Sequence, residues 1–171
     1  MGIQFTPDPV RQNVVNIPYF EDVSTEKHGL KGHRTRKSIR DLENEIRDMM
    51  GRLGGGVTSF VSGTFSATPL RYGIRVEFVL GSARGRIDVA ALPMRGRGDA
   101  TKEAALKQAL VAVRDMLQAQ YDTLFFLPGA VPLVPYLLGP NGKTVTEMLV
   151  ENGNLPLLSG PSGEVVEGEY M

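Results

Sequence analysis

Two seven-residue alternating runs, joined by a short glycine-flanked link, constrain this chain more than any other feature. In the first, Ile74, Val76, Phe78 and Leu80 share one side, and Arg75, Glu77 and Val79 share the other. In the second, Ile87, Val89 and Ala91 point one way, and Arg86, Asp88 and Ala90 the other. A period of two marks a half-buried strand. The link Gly81-Ser82-Ala83-Arg84-Gly85 predicts an antiparallel hairpin. An earlier run, Val57 to Ala67, is rich in Val, Thr, Ser and Phe and supplies a third strand, with the turn at Thr68-Pro69.

A sheet of this kind must cover its apolar face. Two helices are predicted to do so. The first runs from about Ser38 to Leu53, with Ile39, Leu42, Ile46, Met49, Met50 and Leu53 on one stripe. Ser38 and Asp41 form a capping-box pattern, Glu43–Arg47 and Asp48–Arg52 are favourable i,i+4 pairs, and Gly54-Gly55-Gly56 ends the helix. The second runs from about Thr101 to Leu124, with Asp99 or Thr101 as cap. Leu106, Leu110, Val113, Leu117, Tyr121 and Leu124 form its core stripe, and alanines at 104, 105, 109, 112 and 119 let it lie close to a sheet. A short third helix starts at the capping box Thr144-Val145-Thr146-Glu147 and ends near Asn152-Gly153. The fold class is therefore α+β: a three-stranded antiparallel meander packed by a long helix, with one helix before it and a short one after.

Around this body the composition changes. Residues 1–34 read as an extended arm, broken by Pro7, Pro9 and Pro18, with Asn13 to Phe20 apolar enough to dock on the body or on a neighbouring subunit. Residues 35–158 form one domain. Residues 159–171, SGPSGEVVEGEYM, read as a flexible acidic tail. The start, MGIQFTPDPV, has no apolar core of a secretory signal. The longest apolar stretch, Leu124 to Leu138, spans 15 residues and is interrupted by Pro128, Gly129, Pro132 and Pro135, so a buried irregular segment is predicted rather than a membrane span. The chain has no cysteine, which excludes disulfides, thiolate metal ligands and cysteine nucleophiles and suits a cytoplasmic setting.

Charge is distributed unevenly. The chain carries 19 basic and 19 acidic side chains. Residues 1–98 hold 15 Lys and Arg against 10 Asp and Glu, and residues 99–171 hold 4 against 9, so halves of +5 and −5 cancel. The basic half concentrates arginine on and around the hairpin: Arg71, Arg75, Arg84, Arg86, Arg95 and Arg97, with no lysine between Leu53 and Thr101. Guanidinium groups favour bidentate phosphate contacts and stacking on bases. A second basic stretch contains Lys31, Arg34, Arg36, Lys37 and Arg40, preceded by Lys27, with His28 and His33 in the same run and no acid between Lys27 and Arg40. These arginines and lysines are the candidate nucleic-acid-binding residues. The bland reading is that the outer face is merely solvated, with Arg75–Asp88 and Glu77–Arg86 as cross-strand pairs.

No reaction emerges from the motifs. Glu77 and Asp88 face outward on adjacent strands, but the third carboxylate or lysine of a magnesium nuclease is missing. His28 and His33 are five residues apart, a poor spacing for a metal pair. Gly139-Pro140-Asn141-Gly142-Lys143-Thr144 lacks the spacer of a phosphate-binding loop and reads as a turn before a cap.

The block IRVEFVLGSARGRIDVAALPMR, the long helix after it and the segment YLLGPNGKTVTEML (Tyr136 to Leu149) together resemble a family of small phage and bacterial proteins, many actinobacterial. In that family the hairpin reads I-x-F-E…G-R-x-V-R-F-x-L-P-L-P, and the later segment F-L-x-x-I-V-L-P-D-G-R-T-V-x-E. Here Asn141 replaces the Asp and Lys143 the Arg, while Thr144, Val145 and Glu147 are in place. The resemblance covers roughly residues 38–150. It implies a phage or mobile-element setting and no assigned reaction. The meander-then-helix layout is also similar to the core of single-strand annealing proteins and to double-stranded-RNA-binding domains, a likeness of layout alone.

These readings converge on a non-enzymatic protein that binds nucleic acid with little sequence preference, DNA rather than RNA, in single-strand binding or annealing. The hairpin arginines and basic stretch would grip the backbone. No cofactor, metal, catalytic residue or membrane is expected, and a homo-oligomer is. The alternative is a self-assembling structural or interaction protein that uses its oppositely charged halves and its arm.

Overall fold

A computed structural model of the chain describes residues 17–23, 25–32, 35–66 and 69–152. Beyond a single helical turn, α1 (Thr25–His28), the first long element is α2 (Ile39–Arg52). Its start is set by a reciprocal cap. The Ser38 hydroxyl accepts from the Asp41 N–H at 3.1 Å, and the Ser38 N–H donates to the Asp41 carboxylate at 3.2 Å. Gly54, at φ +87°, takes the left-handed conformation that stops the helix. The expected stripe is buried through Leu42, Ile46, Met49 and Met50. The expected i,i+4 pairs do not form among the described residues: Arg47 instead lies 4.8 Å over the Phe60 ring.

Three antiparallel strands follow in the order β1 (Gly55–Phe65), β2 (Arg71–Leu80) and β3 (Ala83–Ala90). The hairpin is tighter than its glycines suggested. Leu80 pairs with Ala83, so the turn is only Gly81-Ser82, with Gly81 at φ +59°, and Ala83, Arg84 and Gly85 belong to the ladder. One register shift interrupts β1 between Val57 and Ser59.

The long helix α3 (Asp99–Thr123) is capped at Gly98, which has no side chain to offer, so neither Asp99 nor Thr101 serves as the cap. It buries Ala105, Leu106, Ala109, Leu110, Val113 and Leu117 and packs against α2 and the apolar face of the sheet. Ile74, Val76, Phe78 and Ile87 from that face meet Leu42, Ile46, Met50, Leu110 and Leu117 in one core. Each such side chain contributes about 1.5–3 kcal/mol on burial, which makes this two-layer contact the main source of stability.

The chain then loops back over the sheet edge. After a short 3₁₀ turn (Val134–Tyr136), Leu137 bridges Gly85 of β3, and the Leu138 N–H donates to the Arg84 carbonyl at 2.9 Å. Helix α4 (Val145–Glu151) begins at the expected capping box, with Thr144 and Glu147 capping each other. The N-terminal segment is partly body rather than arm. The Phe20 N–H donates to the Pro93 carbonyl at 2.8 Å, and Phe20 and Val23 are both buried. Residues 1–16 and the expected tail at 159–171 lie outside the described residues, as do Arg34 and His33. No helix among the described residues is long and apolar enough to cross a membrane.

Candidate functional site

The period-two pattern of β2 and β3 places Arg75, Glu77, Arg86 and Asp88 on the sheet face away from α2 and α3, as expected. That face does not present a row of open guanidinium groups. The register sets Arg75 opposite Asp88. The two form a fork, with Arg75 Nε 2.7 Å from Asp88 Oδ1 and an Arg75 terminal nitrogen 2.9 Å from Oδ2. This bond and the Asp88 charge raise the Arg75 pKa against a smaller opposing effect of burial.

Arg86 is also committed. It donates to the Glu147 carboxylate and to the Gly142 carbonyl at 3.0 Å, so it bolts β3 to α4. Its Nε lies 3.5 Å from Asp88 Oδ2, close enough for an ion pair, yet it makes no hydrogen bond there. Glu77, opposite Arg86 in the register, accepts instead from the Ser59 hydroxyl at 2.8 Å.

Arg71 is half-buried and structural. It donates to the carbonyls of Ala91 at 2.9 Å and Ala90 at 3.1 Å, fastening the end of β3, and burial lowers its pKa. Arg95 belongs to a clasp on the N-terminal segment. It pairs with Asp22 at 2.6 Å and lies 4.6 Å over the Tyr19 ring. The N–H groups of Arg95 and Gly96 each donate to Glu21 at 3.0 Å. Burial pushes the Glu21 carboxyl up, but these donors together with the Arg95 charge outweigh it and hold its pKa below the ordinary value.

Of the six hairpin arginines, then, Arg84 and Arg97 alone are exposed without a carboxylate partner among the described residues. In the basic stretch, Lys37 pairs with Glu45, while Arg36 and Arg40 are exposed and make no ion pair among the described residues. Lys31 lines a cavity between β3 and α3. The expected continuous grip is dispersed because the acids interleaved with the arginines sit in register with them. Among the described residues no group of three acidic or histidine side chains converges on a metal-sized site.

The larger departure from expectation lies in the apolar stretch after α3. A buried segment was predicted from Leu124 to Leu138. The expectation holds at Leu124 and again from Leu133 to Leu137, where Leu133, Tyr136 and Leu137 pack on the core, and fails in between. Leu124 is half-buried against the core, and Leu133 is fully buried at φ +62°, with its N–H donating to the Gln120 side chain at 3.1 Å. Between these anchors Phe125 is 70% exposed, Phe126 82%, Leu127 56% and Val131 62%. The loop is nonetheless ordered by its own bonds. Leu127 N–H donates to the Thr123 carbonyl at 2.9 Å, Ala130 N–H to the Leu127 carbonyl at 3.1 Å, and Phe125 meets Tyr121 edge to face at 5.3 Å. Hydropathy alone does not separate the exposed Phe125–Val131 from the buried residues on either side. The signal in the sequence was the punctuation: Pro128-Gly129 and Pro132 turn the chain outward before Leu133 can return.

No family model, no curated protein and no solved structure matches this chain.

Proposed function

We propose that this protein is a non-enzymatic interaction module that assembles with copies of itself through the apolar loop at the end of α3. One observation carries this reading: four large apolar side chains within Phe125–Val131 are each more than half exposed on a loop held at both ends. Exposed apolar patches on an ordered frame mark contact sites, and aromatic side chains are enriched in the centres of interfaces. The choice of a second copy rests on charge. The loop belongs to the −5 half of the sequence, and another copy offers a +5 half to meet it. Sedimentation velocity over a range of protein concentrations tests this. The wild type should associate, and Phe125→Ser/Phe126→Ser should sediment as a monomer at every concentration. A wild type that stays monomeric would remove the proposal.

A second reading, nucleic-acid binding, is supported by Arg36, Arg40, Arg84 and Arg97, which are exposed and have no carboxylate partner among the described residues. It would be electrostatic and therefore weakened by salt, by about one power of the salt concentration per phosphate neutralised. Fluorescence polarisation with a labelled single strand at two salt concentrations tests it. Arg84→Ala and Arg97→Ala should weaken binding, whereas Arg75→Ala should not, because Arg75 is already held by Asp88. Absence of binding at low salt would end this reading.

A further inference from the structure

A cavity of about 340 Å³ lies between β3, α3 and the segment around Leu30. Leu30, Val89, Leu92 and Val111 make its walls mostly apolar, and Lys31 and Asp115 are its only charged lining residues. Asp115 is paired with Arg114 at 2.9 Å, whereas Lys31 is exposed and makes no ion pair among the described residues. The cavity is thus an apolar recess with one positive charge at its rim still open to a partner.

The exposed loop carries the complementary shape and charge. Phe125 is braced edge to face on Tyr121 at 5.3 Å, and Phe126, 82% exposed, is the ring that projects furthest into solvent. The winding of α3 continues into this loop. The Phe125 N–H donates to the Asp122 carbonyl at 3.3 Å, and the Phe126 N–H to the Thr123 carbonyl at 3.1 Å. Residues four apart on such turns are neighbours, so Asp122 and Phe126 share a side. The Asp122 carboxylate is exposed, accepts from the Gln118 side chain at 2.8 Å and pairs with no cation among the described residues.

The loop does not fill the cavity of its own chain. Ala112 at the cavity and Thr123 at the end of α3 are about 16 Å apart along the helix at about 1.5 Å per residue, and the loop is tied back to Gln120 through Leu133. We infer that the cavity receives Phe126 of a second copy, with Asp122 of that copy meeting Lys31 at the rim. This rests on the self-assembly proposed above and names the surface that the loop contacts. An apolar cavity of about 150 Å³ takes up benzene, so one of about 340 Å³ has room for a phenyl ring and the chain that carries it. An aromatic anchor seated in a pocket and ringed by weaker contacts carries most of the energy of many interfaces. Opposite charges at the rim set the orientation of the two copies. Knob and recess are different patches of one chain, so a copy that lacks either can still use the other.

Sedimentation velocity on the full chain tests this with two variants, each alone and then mixed. Phe125→Ser/Phe126→Ser removes the knob and leaves the recess. Ala112→Trp, at an exposed helix position in the cavity lining, blocks the recess and leaves the knob. Each alone should stay monomeric where the wild type associates. The equimolar mixture should form a one-to-one complex, because one copy still supplies the recess and the other the knob. Both variants should melt close to the wild type, since every changed position is exposed. Lys31→Glu probes the rim without adding bulk. It should weaken association by about tenfold, and mixing it with Asp122→Lys should recover most of the loss. A wild type that stays monomeric would remove the loop contact and this one together. A wild type that associates, with the loop variant monomeric but Ala112→Trp and Lys31→Glu associating as the wild type does, would leave the loop contact standing and overturn the cavity as its receptor. Variants that melt as the wild type, are monomeric alone and fail to combine when mixed would also overturn it.

Discussion

Arg75 holds Asp88 across the β2–β3 ladder with two parallel bonds of 2.7 and 2.9 Å, one from Nε and one from a terminal nitrogen. The same two residues are directly opposite in the register. A guanidinium held in this way stabilises a sheet and is no longer available to a phosphate. A double-mutant cycle on Arg75→Ala and Asp88→Ala should give a coupling of about 0.5–1 kcal/mol, at the level of exposed but well-formed cross-strand pairs. Chemical denaturation of the four proteins measures it, and the coupling should shrink in high salt.

Arg86 should matter more, because it joins two elements rather than two neighbours. Removing it leaves Glu147 without its cation and releases the Gly142 carbonyl, so α4 loses its attachment to the outer face of the sheet. Arg86→Ala is expected to cost about 1–3 kcal/mol. Hydrogen exchange should show faster opening in 137–151 than in α2 or α3, where the core is untouched.

Gly85 faces Phe78 so closely that a methyl group cannot be added without moving the ring. A Cβ there would lie 2.7 Å from both Cε atoms of Phe78, itself fully buried. Gly85→Ala should therefore destabilise by about 1–3 kcal/mol, the usual cost of overpacking. Thermal unfolding checks this, with Gly56→Ala as a comparison because nothing lies near its Cβ position.

Acid should loosen the contact between α2 and α3. Glu45 bonds to Lys37 and to Arg114, and these partners hold its pKa below the ordinary 4.5. A carboxyl whose folded pKa is depressed adds stability above the unfolded value and loses it as pH falls through the folded one. Melting temperature should thus be flat from neutrality to about pH 4.5 and decline below it. Glu45→Gln should start lower and decline less steeply over that range.

Where alternation or helical periodicity was strong, the sequence was legible: β2, β3, the α2 stripe and both capping boxes follow from local chemistry that burial then reinforced. Pairing on the outer face was only half legible. Alternation shows that Arg75, Glu77, Arg86 and Asp88 share a side, but the bolt from Arg86 to Glu147 depends on where α4 lands, 61 residues later. The apolar loop was misread because hydropathy scores residue type and not the direction of the chain. Leu133 is the pivot, and a leucine in the left-handed region announces itself in coordinates and not in composition. Gln108, only 6% exposed on α3, was not legible for the opposite reason, since a single polar residue on a long helix reads as solvent-facing until the sheet is packed against it.

The central claim, that Phe125 and Phe126 form the contact between copies, is tested most directly by fluorine NMR on protein carrying fluorinated phenylalanine, followed across protein concentration. The resonances of Phe125 and Phe126 should shift and lose their sensitivity to solvent deuterium as concentration rises, while the buried Phe78 stays constant. Association that leaves both loop resonances as exposed as in the dilute protein would contradict the account, and so would spectra that do not change with concentration at all.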